Sequence, residues 1–154
     1  MRPTFLLLLV LASCRSAGRE PVVNRVVFPA SAVPDMLKQC SRDAPPADAA
    51  WQPMEADVDA MEAVLPRALA RFPQAHEVDF SGLLVKWQRQ YVGLVWGGRR
   101  FVYGNYFPID DTNKLAEWRR RPMIVCDGGA PFFGAVFDVA AKRITRIDFN
   151  GSIG

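Results

Sequence analysis

The stretch WQRQYVGLVWGGRRFVYGNYF, residues 87–107, decides the fold. Two runs rich in aromatic and branched residues flank Gly97-Gly98, and two glycines between such runs are a strong signal for a two-residue β-hairpin. That turn fixes the register. With Trp96 opposite Arg99, the pairs Leu94 with Phe101 and Val92 with Tyr103 share one face, while Val95 with Arg100, Gly93 with Val102 and Tyr91 with Gly104 share the other. The first face reads as the apolar one that should meet a helix. On the second, the Tyr91 ring is expected to cover Gly104.

The helix expected to pack on this hairpin lies upstream, at residues 55–72. Val58, Met61, Val64, Leu65, Ala68, Leu69 and Phe72 recur at spacings of three and four and fall on one face. Acidic residues crowd its start and arginines its end, the order that complements the macrodipole. Pro66 inside it removes a backbone donor and predicts a kink or a break. A shorter helical piece is expected over residues 33–40, followed by a proline-rich loop over 41–53.

Downstream of the hairpin, residues 111–119 suit a short helix that ends before Pro122. Strands are expected at 123–126, 132–137 and 144–149, with Asp127-Gly128-Gly129 and residues 138–142 as turns. The expected fold class is α+β: one long, Pro-kinked helix on a four- to five-stranded antiparallel sheet, similar in element order to the cystatin layout.

Outward from this domain, the N-terminus reads as an export signal. Arg2 is followed by the apolar run at residues 5–11 and then by Ala12-Ser13-Cys14. The run rises only about 10 Å as a helix against a hydrocarbon core of about 30 Å, so it does not span a membrane. The order Leu-Ala-Ser-Cys resembles the lipobox of bacterial lipoproteins, in which the cysteine is acylated and becomes the new first residue. The resemblance implies a signal peptide at 1–13, a lipid on Cys14, a tether over 14–30 and one domain over 31–154. Arg15 in place of Asp after the cysteine implies the outer membrane, facing the periplasm. If Cys14 carries lipid, Cys40 and Cys126 remain as an even pair in an oxidising compartment, and a disulfide is expected between them.

The composition, 50% hydrophobic and 23% charged, is that of an ordinary globular chain. A formal net charge of +3 is too weak to argue for nucleic acid, and export argues against that partner as well. The motifs Arg89-Gln90-Tyr91-Val92-Gly93, Val125-Cys126-Asp127-Gly128-Gly129, Phe133-Gly134 and Phe149-Asn150-Gly151 resemble those of an uncharacterised bacterial envelope lipoprotein family, over residues 36–151. That resemblance implies a domain boundary and no catalytic residues.

Motifs for chemistry are sparse. One histidine, His76, and two cysteines beyond Cys14 do not make a usual zinc site, and no serine elbow, phosphate loop or dinucleotide fingerprint occurs. The acidic turn Asp110-Asp111-Thr112-Asn113 reads as solvated. Glu77 and Asp79, two apart on an expected extended stretch, form a weak carboxylate pair. No cofactor is expected.

The candidate interaction surface is the set of basic and aromatic residues Trp96, Arg99, Arg100, Tyr103, Tyr106, Trp118, Arg119, Arg120 and Arg121. The expected function is therefore a lipid-anchored, non-enzymatic binding protein, as an inhibitor or immunity protein against a cell-wall hydrolase or toxin. Two alternatives stand beside it: an assembly lipoprotein of the outer membrane, and a small enzyme using Cys126.

Overall fold

The computed structural model describes residues 24–109 and 117–151. Their order is β1 (Arg25–Val27), α1 (Val33–Met36), β2 (Ala49–Trp51), α2 (Glu55–Leu69), α3 (Leu83–Lys86), β3 (Trp87–Trp96), β4 (Arg99–Pro108), β5 (Phe133–Asp138) and β6 (Arg143–Phe149). The fold is α+β. Its sheet runs β1-β3-β4-β5-β6, and β2 also pairs with β3.

The hairpin forms with the expected register throughout, from Trp96 opposite Arg99 to Tyr91 opposite Gly104. Gly97 and Gly98 both take positive φ, 54° and 71°, the conformation for which glycine is suited. The sheet is mixed, however. Strand β1 pairs in parallel with Arg89–Tyr91 (Arg25↔Arg89, Val26↔Gln90, Val27↔Tyr91), and β2 pairs antiparallel with residues 93–95 on the same edge. Two short strands thus share one edge of β3, and its backbone groups are covered along most of its length. The domain therefore begins by Asn24, ahead of the boundary expected at residue 31.

Helix α2 ends at Leu69 and runs unbroken through Pro66. The proline itself lies on the exposed side of the helix. At its start, the Asp57 carboxylate accepts the Met54 N–H at 2.9 Å, which satisfies a backbone donor just ahead of the first turn. Val58, Met61, Leu65 and Leu69 point into a core with Tyr91, Val102, Tyr106, Phe133, Ala135, Phe137 and Ile147.

The helix thus packs on the Tyr91 and Val102 face, not on the Leu94 and Phe101 face. The latter is covered by Phe28, Val33 and Met36 around α1. Alternation could not separate the two, because the first eight residues of β3 are all buried. Glycine on the helix side marks close approach. A Cβ on Gly93 would lie 2.4 Å from the Trp51 carbonyl oxygen, and one on Gly104 would lie 2.6 Å from the Tyr106 ring. Tyr106, not Tyr91, covers Gly104, and the Tyr91 ring stands edge-on to the Tyr106 ring with centroids 5.9 Å apart.

No strand forms at 123–126. Residues 117–132 instead make an irregular strap, and the Cys40–Cys126 disulfide fastens it to the segment after α1, with the two Cα atoms 4.9 Å apart. The expected helix at 111–119 and the acidic turn at 110–113 fall mainly outside the described residues.

Candidate functional site

The expected surface does not assemble as one patch. Trp96 stacks on Phe101 at 3.4 Å, Arg99 pairs with buried Asp138, and Arg100 lies 5.1 Å from the Trp51 ring. These three group at the turn end of the hairpin. Tyr103 and Tyr106 are buried, at 2% and 0% exposure, and Trp118 is buried against Phe107. They are core residues and drop out of the surface: aromatic character marked them, and burial decides otherwise. Arg119 lies 4.2 Å from the Trp118 ring and donates to the Arg25 carbonyl, Arg121 pairs with Glu117 at 3.0 Å, and Arg120 is exposed. The backbone of this second group is held by Gln90, whose Nε2 donates to the Trp118 and Arg121 carbonyls at 2.6 and 2.9 Å. At about 3.3 Å per residue, Gln90 stands about 20 Å along the strand from Trp96.

The motifs of the sequence meet instead in one buried polar network. The Arg42 guanidinium donates to the Tyr103 hydroxyl and to the Oδ1 atoms of Asn105 and Asn150. The Asn105 amide in turn donates to Gln90 Oε1 and to the Met123 carbonyl, and the Met123 N–H donates back to Gln90 Oε1 at 2.8 Å. Asn150 Nδ2 holds the Val125 and Asp127 carbonyls at 2.7 and 2.9 Å. Gly134 leaves room for Tyr103 and Arg42, since a Cβ there would lie 2.6 Å from the tyrosine oxygen. The bonds to Met123, Val125 and Asp127 tie the strap to the sheet and its end, and those of Arg42 tie the segment after α1 to the same strands. The network is a scaffold: it satisfies backbone groups that would otherwise pair in a ladder.

A second buried group, under α2, carries charge. Glu62, 7% exposed, accepts from the Tyr91 hydroxyl at 2.7 Å and faces Arg89 and Arg25 at 3.1 and 3.0 Å. Arg25 also reaches Glu55 and Asp59 at 2.6 and 2.7 Å. Burial opposes the Arg25 charge, but the hydrogen bond to Asp59 and the charges of Glu62, Asp59 and Glu55 outweigh it and hold its pKa above the usual arginine value. Burial, joined by the charges of Tyr106 and Glu62, pushes Tyr91 well above the usual phenol range. Spacing gave no warning of this cluster, since Glu62 is not among the apolar residues whose recurrence defines the packed face. A signal for the Arg42 network did exist: Gln90 and Asn105 stand opposite each other in the hairpin register that the turn dictates.

Among the described residues, no group of His, Cys, Asp and Glu has the makings of a metal site, and no helix is long and apolar enough to cross a membrane. Glu77 ends a 3-10 turn (Pro73–Glu77), while Asp79 turns back to cap the Ser81 N–H at 2.8 Å, so the expected shared strand does not exist. The Ser81 hydrogen bonds hold the exposed Asp79 carboxyl below the usual carboxylate range. His76 lines a largely apolar cavity of about 300 Å³ between the end of α2 and α3, with its Nε2 3.5 Å from the Ala70 carbonyl. The Cys126 sulfur is bonded to Cys40, so thiol chemistry there requires that bond to open first.

By fold, then, this is an α+β protein with a mixed six-stranded sheet, one long helix on one face and a disulfide-fastened strap on the other. The chain matches no family model, no curated protein and no solved structure.

Proposed function

We propose that the chain is a lipid-anchored binding protein of the bacterial outer membrane, facing the periplasm, which acts by engaging an envelope partner and not by converting a substrate. The observation that carries this reading is the Cys40–Cys126 disulfide. Such bonds persist in oxidising compartments, and the bridge joins the two cysteines that the lipobox reading leaves over once Cys14 is acylated. The two buried polar clusters spend their side chains on holding the strap and the helix in place, which suits a rigid display surface. Of the binding roles, inhibition of a cell-wall hydrolase or toxin fits best a small anchored domain of this kind.

Mass spectrometry of the protein from a membrane fraction tests the address. The expected product starts at an acylated Cys14 and has no alkylatable thiol before reduction. An unmodified Met1 terminus on soluble material overturns the reading. The inhibitory role is tested by adding the purified mature protein to cell-wall hydrolases secreted by the same cells. A lowered hydrolytic rate is expected, and unchanged rates across them remove inhibition.

A further inference from the structure

Most basic side chains on this molecule already have partners. Among the described residues, Arg25, Lys38, Lys86, Arg89, Arg99, Arg121 and Arg146 each face a carboxylate, and Arg42 is held by neutral acceptors. Arg67, Arg71, Lys142 and Arg143 are different. All four are exposed, none has a carboxylate of the described residues within ion-pair distance, and all four line one groove of about 310 Å³ whose remaining walls are Val64, Ala68 and Ile144.

The end of α2 accounts for two of them, since its carbonyl dipoles favour cations there. It does not account for the other pair. Lys142, in the β5–β6 turn, and Arg143, which opens β6, bring like charge against the arginines of α2, and do so with Lys142 at φ 49°, a left-handed conformation that non-glycine residues adopt at a cost. Like charges gathered around one groove repel, and a bound anion reverses the sign of that energy. Arginine also matches phosphate geometry through paired N–H donors.

We infer that this groove binds the phosphate of an anionic phospholipid headgroup, with the guanidinium and ammonium groups on the phosphate and the half-buried Val64, Ala68 and Ile144 against its glycerol and upper acyl carbons. The inference builds on the membrane address proposed above, and chain length permits it. From Cys14 to Asn24 an extended chain reaches about 35 Å. Arg25 is fixed to Glu55 at the start of α2, and the helix to its far end measures about 22 Å. The groove can therefore meet the same bilayer that holds the anchor.

The test uses residues 14–154 with Cys14→Ser, which retains every described element and removes both signal and anchor. Co-flotation is measured with vesicles of phosphatidylcholine alone and of phosphatidylcholine doped with phosphatidylglycerol, and glycerol phosphate is titrated in parallel. Binding only to the doped vesicles, weakening as salt is raised, is the expected result. The double variant Arg71→Gln, Arg143→Gln should lose about thirtyfold in vesicle affinity, on the basis of about 1 kcal/mol for each basic residue near an anionic surface. Arg100→Gln with Arg120→Gln, which removes the same net charge elsewhere, should lose far less. Equal losses in the two double variants, or vesicle binding that ignores phosphatidylglycerol, overturn the inference. So does uptake of glycerol phosphate without vesicle binding, which would assign the groove to a soluble phosphate ester. Because Cys14 is absent from this protein, none of these outcomes depends on whether the natural chain is acylated.

Discussion

Gly93 shows how a single position sets the edge of the sheet. It sits where the Trp51 indole crosses β3 to donate to the Phe101 carbonyl at 3.0 Å, and no side chain fits between. Gly93→Ala should lower stability by about 2 kcal/mol, because the obstacle is the Trp51 backbone carbonyl and not a flexible side-chain end. Gly151→Ala, whose Cβ would meet nothing closer than 3.8 Å, should leave the urea midpoint unchanged and serves as the control. At this scale the sequence was partly legible. The even cysteine pair predicted its own bond, and Gln90 opposite Asn105 carried the trace of a buried network. Tyr103, Tyr106 and Trp118 misled because the residue types that enrich interfaces also fill cores.

Elements were legible where local chemistry decides them. The two-glycine turn dictated the whole β3–β4 register, and the spacing of apolar residues found α2, although its last turn stops at Leu69 where Pro73 soon follows. The strap was not legible. Val125 and Cys126 have strand propensity, but the N–H and carbonyl of Met123 and the carbonyls of Val125 and Asp127 are taken by the amide side chains of Gln90, Asn105 and Asn150, distant in the chain. Gly128 and Gly129, at φ 99° and 64°, then turn the chain away from any ladder. The disulfide closes a separation of 86 residues, for which the chain-entropy model gives about 4 to 5 kcal/mol. Replacing both cysteines by serine should cost up to that amount and, more specifically, speed amide hydrogen exchange at Met123 and Gly129 ahead of the sheet. Uniform acceleration across the sheet and strap would mean that the bond steadies the whole domain and not the strap alone.

For the molecule as a whole, both faces of the sheet are covered, which is why amphipathic alternation could not say which face the helix takes. One result is that all three tyrosines are interior, and burial raises the pKa of Tyr91, Tyr103 and Tyr106 above the usual value of 10.0. The native state keeps these protons at a pH where the unfolded chain releases them. The tyrosine contribution is therefore present in full below about pH 10 and is lost as pH rises toward the folded-state values, at up to about 1.4 kcal/mol per pH unit for each group. An alkaline titration followed by ultraviolet absorbance should show no tyrosinate near pH 10 in the folded protein, then one cooperative step coincident with loss of circular dichroism. Independent ionisation of one tyrosine before unfolding would contradict the burial described here.

The parallel pairing of β1 with β3 has a mechanical side. The Arg89 N–H to Asn24 carbonyl bond and the Phe28 N–H to Tyr91 carbonyl bond cross this seam, and beside it Arg25 ties β1 to three carboxylates of α2. Tension applied at the N-terminus along β1 loads that seam in shear, so its bonds share the force instead of parting one after another. An optical trap pulling between residue 24 and the body of the domain should record a single abrupt rupture, and a gradual peel at low force would show that the seam opens like a zip.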